Sequence, residues 1–142
     1  MKWQKISGAW TIGEYNIEQG NQTTLTGTTL VGDGGNLYYL QENVLDLGKR
    51  YKIKFLISNS DVTGDFHLRY IDVDVSSGII TTDDDGNLFR TNGWHTLTTT
   101  RTYTASGGGR LQFYWGPSVV GQSITISDIT VEEIPVLPTF TQ

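Results

Sequence analysis

Apolar and polar residues alternate singly along much of this chain, most regularly between Leu45 and Tyr70 (LDLGKRYKIKFLISNSDVTGDFHLRY). Tyr51, Ile53, Phe55 and Ile57 stand at every second position, with Lys52 and Lys54 between them. A period of two places the apolar side chains on one sheet face and the ammonium groups on the other. After the loop SNSDVTGD the alternation resumes at Phe66, Leu68 and Tyr70, with His67 and Arg69 opposite. Two amphipathic strands cannot bury such a face alone, so the rest of the chain must supply a second layer.

The flanking sequence predicts more short strands. Trp3, Ile6, Trp10, Ile12, Tyr15 and Ile17 are spaced for strands broken at Gly8 and Gly13. Residues 19–35 are polar, with Leu25 and Leu30 as anchors and GDGG as a tight turn. NLYYLQ (36–41) reads as a compact aromatic strand, and Gly48 marks the turn into the central one. Beyond Tyr70 the apolar phase slips by one residue to Ile71, Val73 and Val75, with Asp72 and Asp74 between; a bulge or twist absorbs such a slip. Further strands are expected at 93–105, at 110–115 with Leu111, Phe113 and Trp115 on one face, and at 122–134 with a second slip at Ser127-Asp128. No apolar stripe at helical spacing and no long internal repeat is present. The expectation is an all-β fold: an antiparallel β-sandwich of about nine to eleven short strands in jelly-roll order, with Gly/Asn/Asp turns. It forms one domain over residues 1–134, followed by an extended tail over 135–142.

Composition narrows the chemistry. The 142 residues suit one domain with a real core. The chain has no cysteine, which excludes disulfides and sulfur-based zinc sites. The formal charge of -5 argues against a nucleic-acid partner. Neither a secretory leader nor an apolar run long enough for a membrane helix is visible, so no membrane partner is expected. No Ser/His/Asp set, G-x-S-x-G, phosphate loop or dinucleotide fingerprint occurs, and an enzyme is not expected. Asp83, Asp84, Asp85 and Asn87 in TDDDGN read as a solvated turn, and His67 and His95 as lone surface or strand histidines.

Taken in order, ISGAWTI, LDLGKRYKIKFLIS, GWHTLTTTRTYTA and ITISDITVEEI resemble the carbohydrate-binding-module-like jelly roll. This galactose-binding-like type also recurs in phage tail and capsid accessory proteins. Gly48, Lys49, Tyr51, Ile53 and Phe55 match its middle strand, Trp94 to Thr100 its tryptophan-led strand, and Ile126, Asp128, Ile129 and Val131 its closing strand. The resemblance spans roughly residues 8–134 and speaks to fold more than to function. It implies a structural calcium with Asp128 as its C-terminal ligand, although WQK stands where the family carries an acidic residue before the first Gly-x-Trp segment.

Four tryptophans and seven tyrosines are generous for a sandwich of this size, and a sugar ring can lie on an exposed aromatic face. Tyr114, Gln112, Arg69, Asp72, Asp74, Trp94 and Tyr38 are the candidate carbohydrate-binding residues. Trp115 shares its phase with Leu111 and Phe113 and is expected in the core, whereas Tyr114 and Gln112 point the other way, toward an exposed face. The expected function is a non-catalytic structural or adsorption component of a phage virion (a head fibre, capsid decoration or tail accessory protein) with weak glycan binding. Expected partners are copies of itself, other virion proteins, and cell-surface or plant polysaccharide. A carbohydrate-binding module of a polysaccharide-degrading enzyme and a secreted lectin-like adhesin are the alternatives.

Overall fold

The computed structural model describes residues 3–7, 10–12, 15–16, 21–22, 24–28, 37–41, 45–69, 80–101, 111–116 and 121–135. Among them every regular element is a strand: β1 (Gln4–Ser7), β2 (Trp10–Ile12), β3 (Tyr15–Asn16), β4 (Asn21–Gln22), β5 (Thr24–Thr28), β6 (Leu37–Gln41), β7 (Arg50–Ser58), β8 (Asp65–Arg69), β9 (Gly93–Thr100), β10 (Leu111–Gly116) and β11 (Ser123–Ile134). One sheet has the order β1-β6-β10-β8, a second the order β2-β5-β11-β7-β9, and β3 pairs with β4 alone. All pairings are antiparallel. From β5 to β11 each successive strand belongs to the other sheet, so within the two large sheets neighbouring strands are not consecutive in the chain. This jelly-roll sandwich is the fold that the period-two pattern predicts.

The alternation of β7 is realised residue by residue, with Tyr51, Ile53, Phe55 and Ile57 buried and Arg50, Lys52 and Lys54 exposed. Its buried face meets the other sheet directly. The Phe55 ring on β7 lies 5.2 Å from that of Phe113 on β10, edge to face at 87°. Trp3 and Phe66 pack on Phe113 at 5.5 and 5.8 Å. Leu25, Ile124, Ile126, Leu68, Leu111 and Trp115 are wholly buried around this centre. Each such side chain contributes roughly 1.5–3 kcal/mol by leaving water.

The slip at Ser127-Asp128 is a β-bulge. The register of β11 against β7 shifts between Ser127 and Thr130, so both Ile126 and Ile129 reach the core. Asp128 absorbs the extra residue with a φ of 52°, a left-handed conformation that aspartate tolerates better than most residues. The slip at Tyr70-Ile71 and the tail beyond Pro135 lie outside the described residues, as does the distal part of the 93–105 stretch.

One end of the sandwich is held by polar contacts between loops. Ser60 Oγ donates to the Arg90 carbonyl at 2.6 Å, and Arg90 donates to the Thr63 and Gly64 carbonyls at 2.7 and 3.0 Å. The Ser123 amide donates to Asp61 at 2.8 Å. Near the start of β7, Lys49 lies 3.5 Å from both Glu133 and Asp46, and these two carboxylates push its ammonium pKa up.

The loop before β9 binds that strand's outer edge. The Asp84 amide donates to the Thr96 carbonyl at 2.9 Å, and its carboxylate accepts from the Thr98 amide at 3.0 Å and from Thr98 Oγ1 at 2.9 Å.

Candidate functional site

The two sheets each turn one face away from the core, and the candidate residues divide between these faces. On the four-stranded sheet, β8 and β10 set Gln112 opposite Arg69 and Tyr114 opposite His67. Phe66, Leu68, Phe113 and Trp115 take the alternate positions and are buried in the core. On the far side of β10, the register of β6 places Tyr38 opposite Tyr114. Strands distant in sequence thus bring Arg69, Gln112 and Tyr114 to one patch, with Tyr38 at the adjoining register position of β6.

The side chains there form a stack. The His67 ring lies 4.6 Å from that of Tyr114, nearly parallel at 21°, and the Arg69 guanidinium carbon lies 4.8 Å from the same ring. His67 Nδ1 meets Asp65 Oδ1 at 2.9 Å. A carboxylate accepts, so Nδ1 carries the proton of this contact. Tyr114 leans along its own strand toward Gly116. A Cβ there would stand 3.5 Å from Tyr114 Cε1, 3.7 Å from its hydroxyl and 3.6 Å from the Asp65 Cβ.

Two expectations are corrected here. Gln112 and His67 do point away from the core, but they are 4% and 2% exposed. Tyr114 is not an open platform, because an imidazole and a guanidinium already contact its ring. The patch is recessed: His67 is packed against the tyrosine ring that was expected to stand free.

Trp94 lies on the other sheet. It stands opposite Leu56 on β7, outside the core, and is 53% exposed with Lys54 Nζ 4.6 Å from its ring centre. Trp94 and Tyr114 therefore serve opposite faces of the sandwich. Trp115 is wholly buried, as its phase requires. Asp72 and Asp74 lie outside the described residues.

Neither histidine is a lone surface residue. His95 Nδ1 lies 2.7 Å from Asp83 Oδ2, both side chains are 2% exposed, and His95 Nε2 lies 2.7 Å from the Thr91 carbonyl. Asp83 Oδ1 accepts from the Asp85 and Asn87 amides, each at 2.9 Å. Burial works against the Asp83 charge, yet the hydrogen bonds from the Asn87 amide, His95 and the Asp85 amide outweigh it and hold its pKa below the usual carboxylate value. Of the acidic run read as a solvated turn, Asp84 and Asp85 are exposed and Asp83 anchors the loop to β9.

Asp128 is exposed at the β11 bulge. Calcium takes six to eight oxygen ligands, and among the described residues no group of three or more acidic or histidine side chains gathers to supply them.

No protein-family model matches the chain, and no curated protein matches it in sequence. Solved structures do match in three dimensions. A family 16 carbohydrate-binding module aligns with a TM-score of 0.55 at 11% identity, over 92% of this chain and 90% of its own. The CBM22-1–GH10 part of Clostridium thermocellum xylanase 10B, solved with xylohexaose, aligns at 0.55 and 13% identity over 99% of this chain. The enzymatically active domain of bacteriophage CBA120 tailspike protein 4 aligns at 0.50 and 16% identity over 94% of this chain. The chain has the carbohydrate-binding-module-like jelly-roll fold. It spans 27% of the xylanase chain and 19% of the tailspike chain, but nearly all of the family 16 module. At these identities the likeness is one of fold, and function has to be argued from the faces of the sandwich.

Proposed function

We propose that this jelly roll is a non-catalytic glycan-binding component of a phage virion. In this reading the saccharide is held on the outer face of β8 and β10. The observation that carries the reading is the grouping of Arg69, Gln112 and Tyr114 across β8 and β10, with His67 stacked on the tyrosine. A planar guanidinium donates in a fixed geometry that suits sugar hydroxyls, and an aromatic ring suits the C–H face of a pyranose. His67, braced by Asp65, fixes the ring that the sugar meets. Contact is then made by the guanidinium and by the edge and hydroxyl of Tyr114 more than by a broad stacking surface, and a weak affinity follows. The fold shared with a bacteriophage tailspike domain supports the virion assignment. A second reading, a binding module of a polysaccharide-degrading enzyme, is favoured by the near-complete overlap with a family 16 module.

A glycan array followed by calorimetry tests the binding. Tyr114→Ala and Arg69→Ala are expected to abolish the signal while leaving the circular dichroism spectrum and oligomeric state unchanged. Lack of signal across bacterial-surface and plant polysaccharides would refute the glycan reading. Immunogold labelling of purified virions, together with the neighbouring genes, separates the two assignments: capsid or tail genes support the first, glycoside hydrolase modules the second.

A further inference from the structure

Three cations on β7 and the exposed tryptophan beside them take no part in the face described above. Arg50, Lys52 and Lys54 are exposed on the side of β7 turned from the core, about 7 Å apart along the strand. None of the three makes an ion pair among the described residues, although the chain as a whole carries a charge of -5. At the head of β9, Gly93 adopts a φ of 124°, which a side chain would strain, and Trp94 follows it opposite Leu56. Thr96 and Thr98 then face Lys54 and Lys52 in register. On the other flank β11 sets Thr130 opposite Lys54 and Glu132 opposite Lys52. Lys52, Lys54, Thr130 and Glu132 line a shallow groove of about 190 Å³.

The two flanks of β7 differ in charge. β11 carries carboxylates, Glu132 in the groove and Asp128 at the bulge, whereas β9 presents an indole and threonine hydroxyls. The acid beside β9, Asp84, has its carboxylate engaged by the Thr98 amide and hydroxyl. An anionic group arriving over β7 meets Lys54 and Lys52, with the Asp84 carboxylate tied to Thr98 on the β9 side and Glu132 on the β11 side. The Lys54 ammonium already lies 4.6 Å from the Trp94 ring centre, so a charge held by Lys54 and a flat apolar surface held by Trp94 fall within one small molecule.

We propose that this face is a second saccharide site, selective for an acidic sugar bearing a carboxylate or a sulfate. Trp94 takes the C–H face of the ring, Lys54 and Lys52 pair with the anionic group, and Thr130 and Glu132 bond the hydroxyls that reach the groove. The site lies on the opposite sheet from Tyr114 and stands whether or not that face binds a glycan.

The test titrates the full chain with an oligogalacturonate, a sulfated oligosaccharide and neutral xylohexaose, followed by calorimetry and tryptophan fluorescence. At least one acidic oligosaccharide is expected to bind, with an affinity that falls steeply as salt rises from roughly 50 mM to 0.5 M. Preference for the galacturonate identifies a carboxylate ligand, and preference for the other a sulfate; either supports the proposal. Trp94→Ala and the double change Lys52→Gln/Lys54→Gln are each expected to weaken binding about tenfold or more, and Tyr114→Ala to leave it within about twofold. Trp94, Lys52 and Lys54 are exposed, so their variants are expected to fold, and a thermal melt verifies this for them and for Tyr114→Ala. The proposal is overturned if neither acidic oligosaccharide binds, or if binding survives both changes on this face. Equal affinity for a single-stranded oligonucleotide would likewise refute it, by showing indiscriminate attraction of polyanions.

Discussion

His95 reaches the Asp83 carboxylate through Nδ1 and the Thr91 carbonyl through Nε2, each at 2.7 Å. The carboxylate at Nδ1 and the carbonyl at Nε2 together hold the imidazole in one orientation. This buried carboxylate–imidazole contact fastens the 83–92 loop to β9. A hydrogen bond to a charged group contributes roughly 1.5–3 kcal/mol, and Asp83→Asn, which weakens three of them, is expected to cost at least that much near neutral pH. The Asp83 pKa is lowered from 3.8. Its contribution is therefore complete above the ordinary aspartate value and is lost as pH falls through the lower folded value. Urea melts of both proteins at pH 6 and at successively lower pH measure this. The gap between them should hold down to the ordinary aspartate range and close only below it.

Phe113 touches Trp3, Phe55 and Phe66, and so ties both sheets to one ring. Phe113→Ala is expected to destabilise the fold by about 3–5 kcal/mol, and Phe113→Leu by clearly less because it leaves a smaller cavity. Chemical denaturation reads both. A loss under about 1 kcal/mol for the alanine would mean that the two sheets are not packed through this ring.

Asp128 holds a left-handed backbone without being glycine. Asp128→Gly should relieve that strain and be neutral or stabilising by a few tenths to about 1 kcal/mol, whereas Asp128→Val should destabilise by more. Thermal melts of the pair, run with and without added calcium, also test the ion. If Asp128 is a calcium ligand, calcium should raise the melting temperature of the native chain and not that of Asp128→Gly.

A methyl group at residue 116 would make ordinary contacts of 3.5 to 3.7 Å with Tyr114 and Asp65. Gly116→Ala is accordingly expected to fold and to keep whatever binding Tyr114 supports. Gly116→Val adds branches that the tyrosine ring must move to admit. It should weaken glycan binding on that face while costing stability by no more than about 1–3 kcal/mol. Calorimetry against a glycan identified on the array checks both.

The phase of each strand was legible because it is written in neighbouring residues. Tyr51 to Ile57 announced a buried face, and the step from Ile126 to Ile129 announced the bulge. Sheet membership was not legible. Successive strands cross between sheets, so nothing local says that Trp94 belongs with Lys54 while Tyr114 belongs with His67. Tyr114 and Gln112 were correctly read as pointing away from the core, but the depth of Gln112 depends on neighbours far away in the chain. In the same way, three consecutive aspartates look like a solvated turn until a histidine on the next strand selects one of them.

The contact between Asp84 and β9 reaches beyond local stability. Between Thr96 and Thr98 the outermost strand of the larger sheet has its carbonyl and amide already satisfied by a single residue of its own chain. An incoming strand from another molecule would find no ladder to extend at that stretch. Edge-to-edge addition is disfavoured at that stretch, and an assembly engaging it would use side-chain surfaces of defined shape. Contacts of that kind can close into a ring or a pair with a fixed number of members, where an open sheet border favours unlimited stacking.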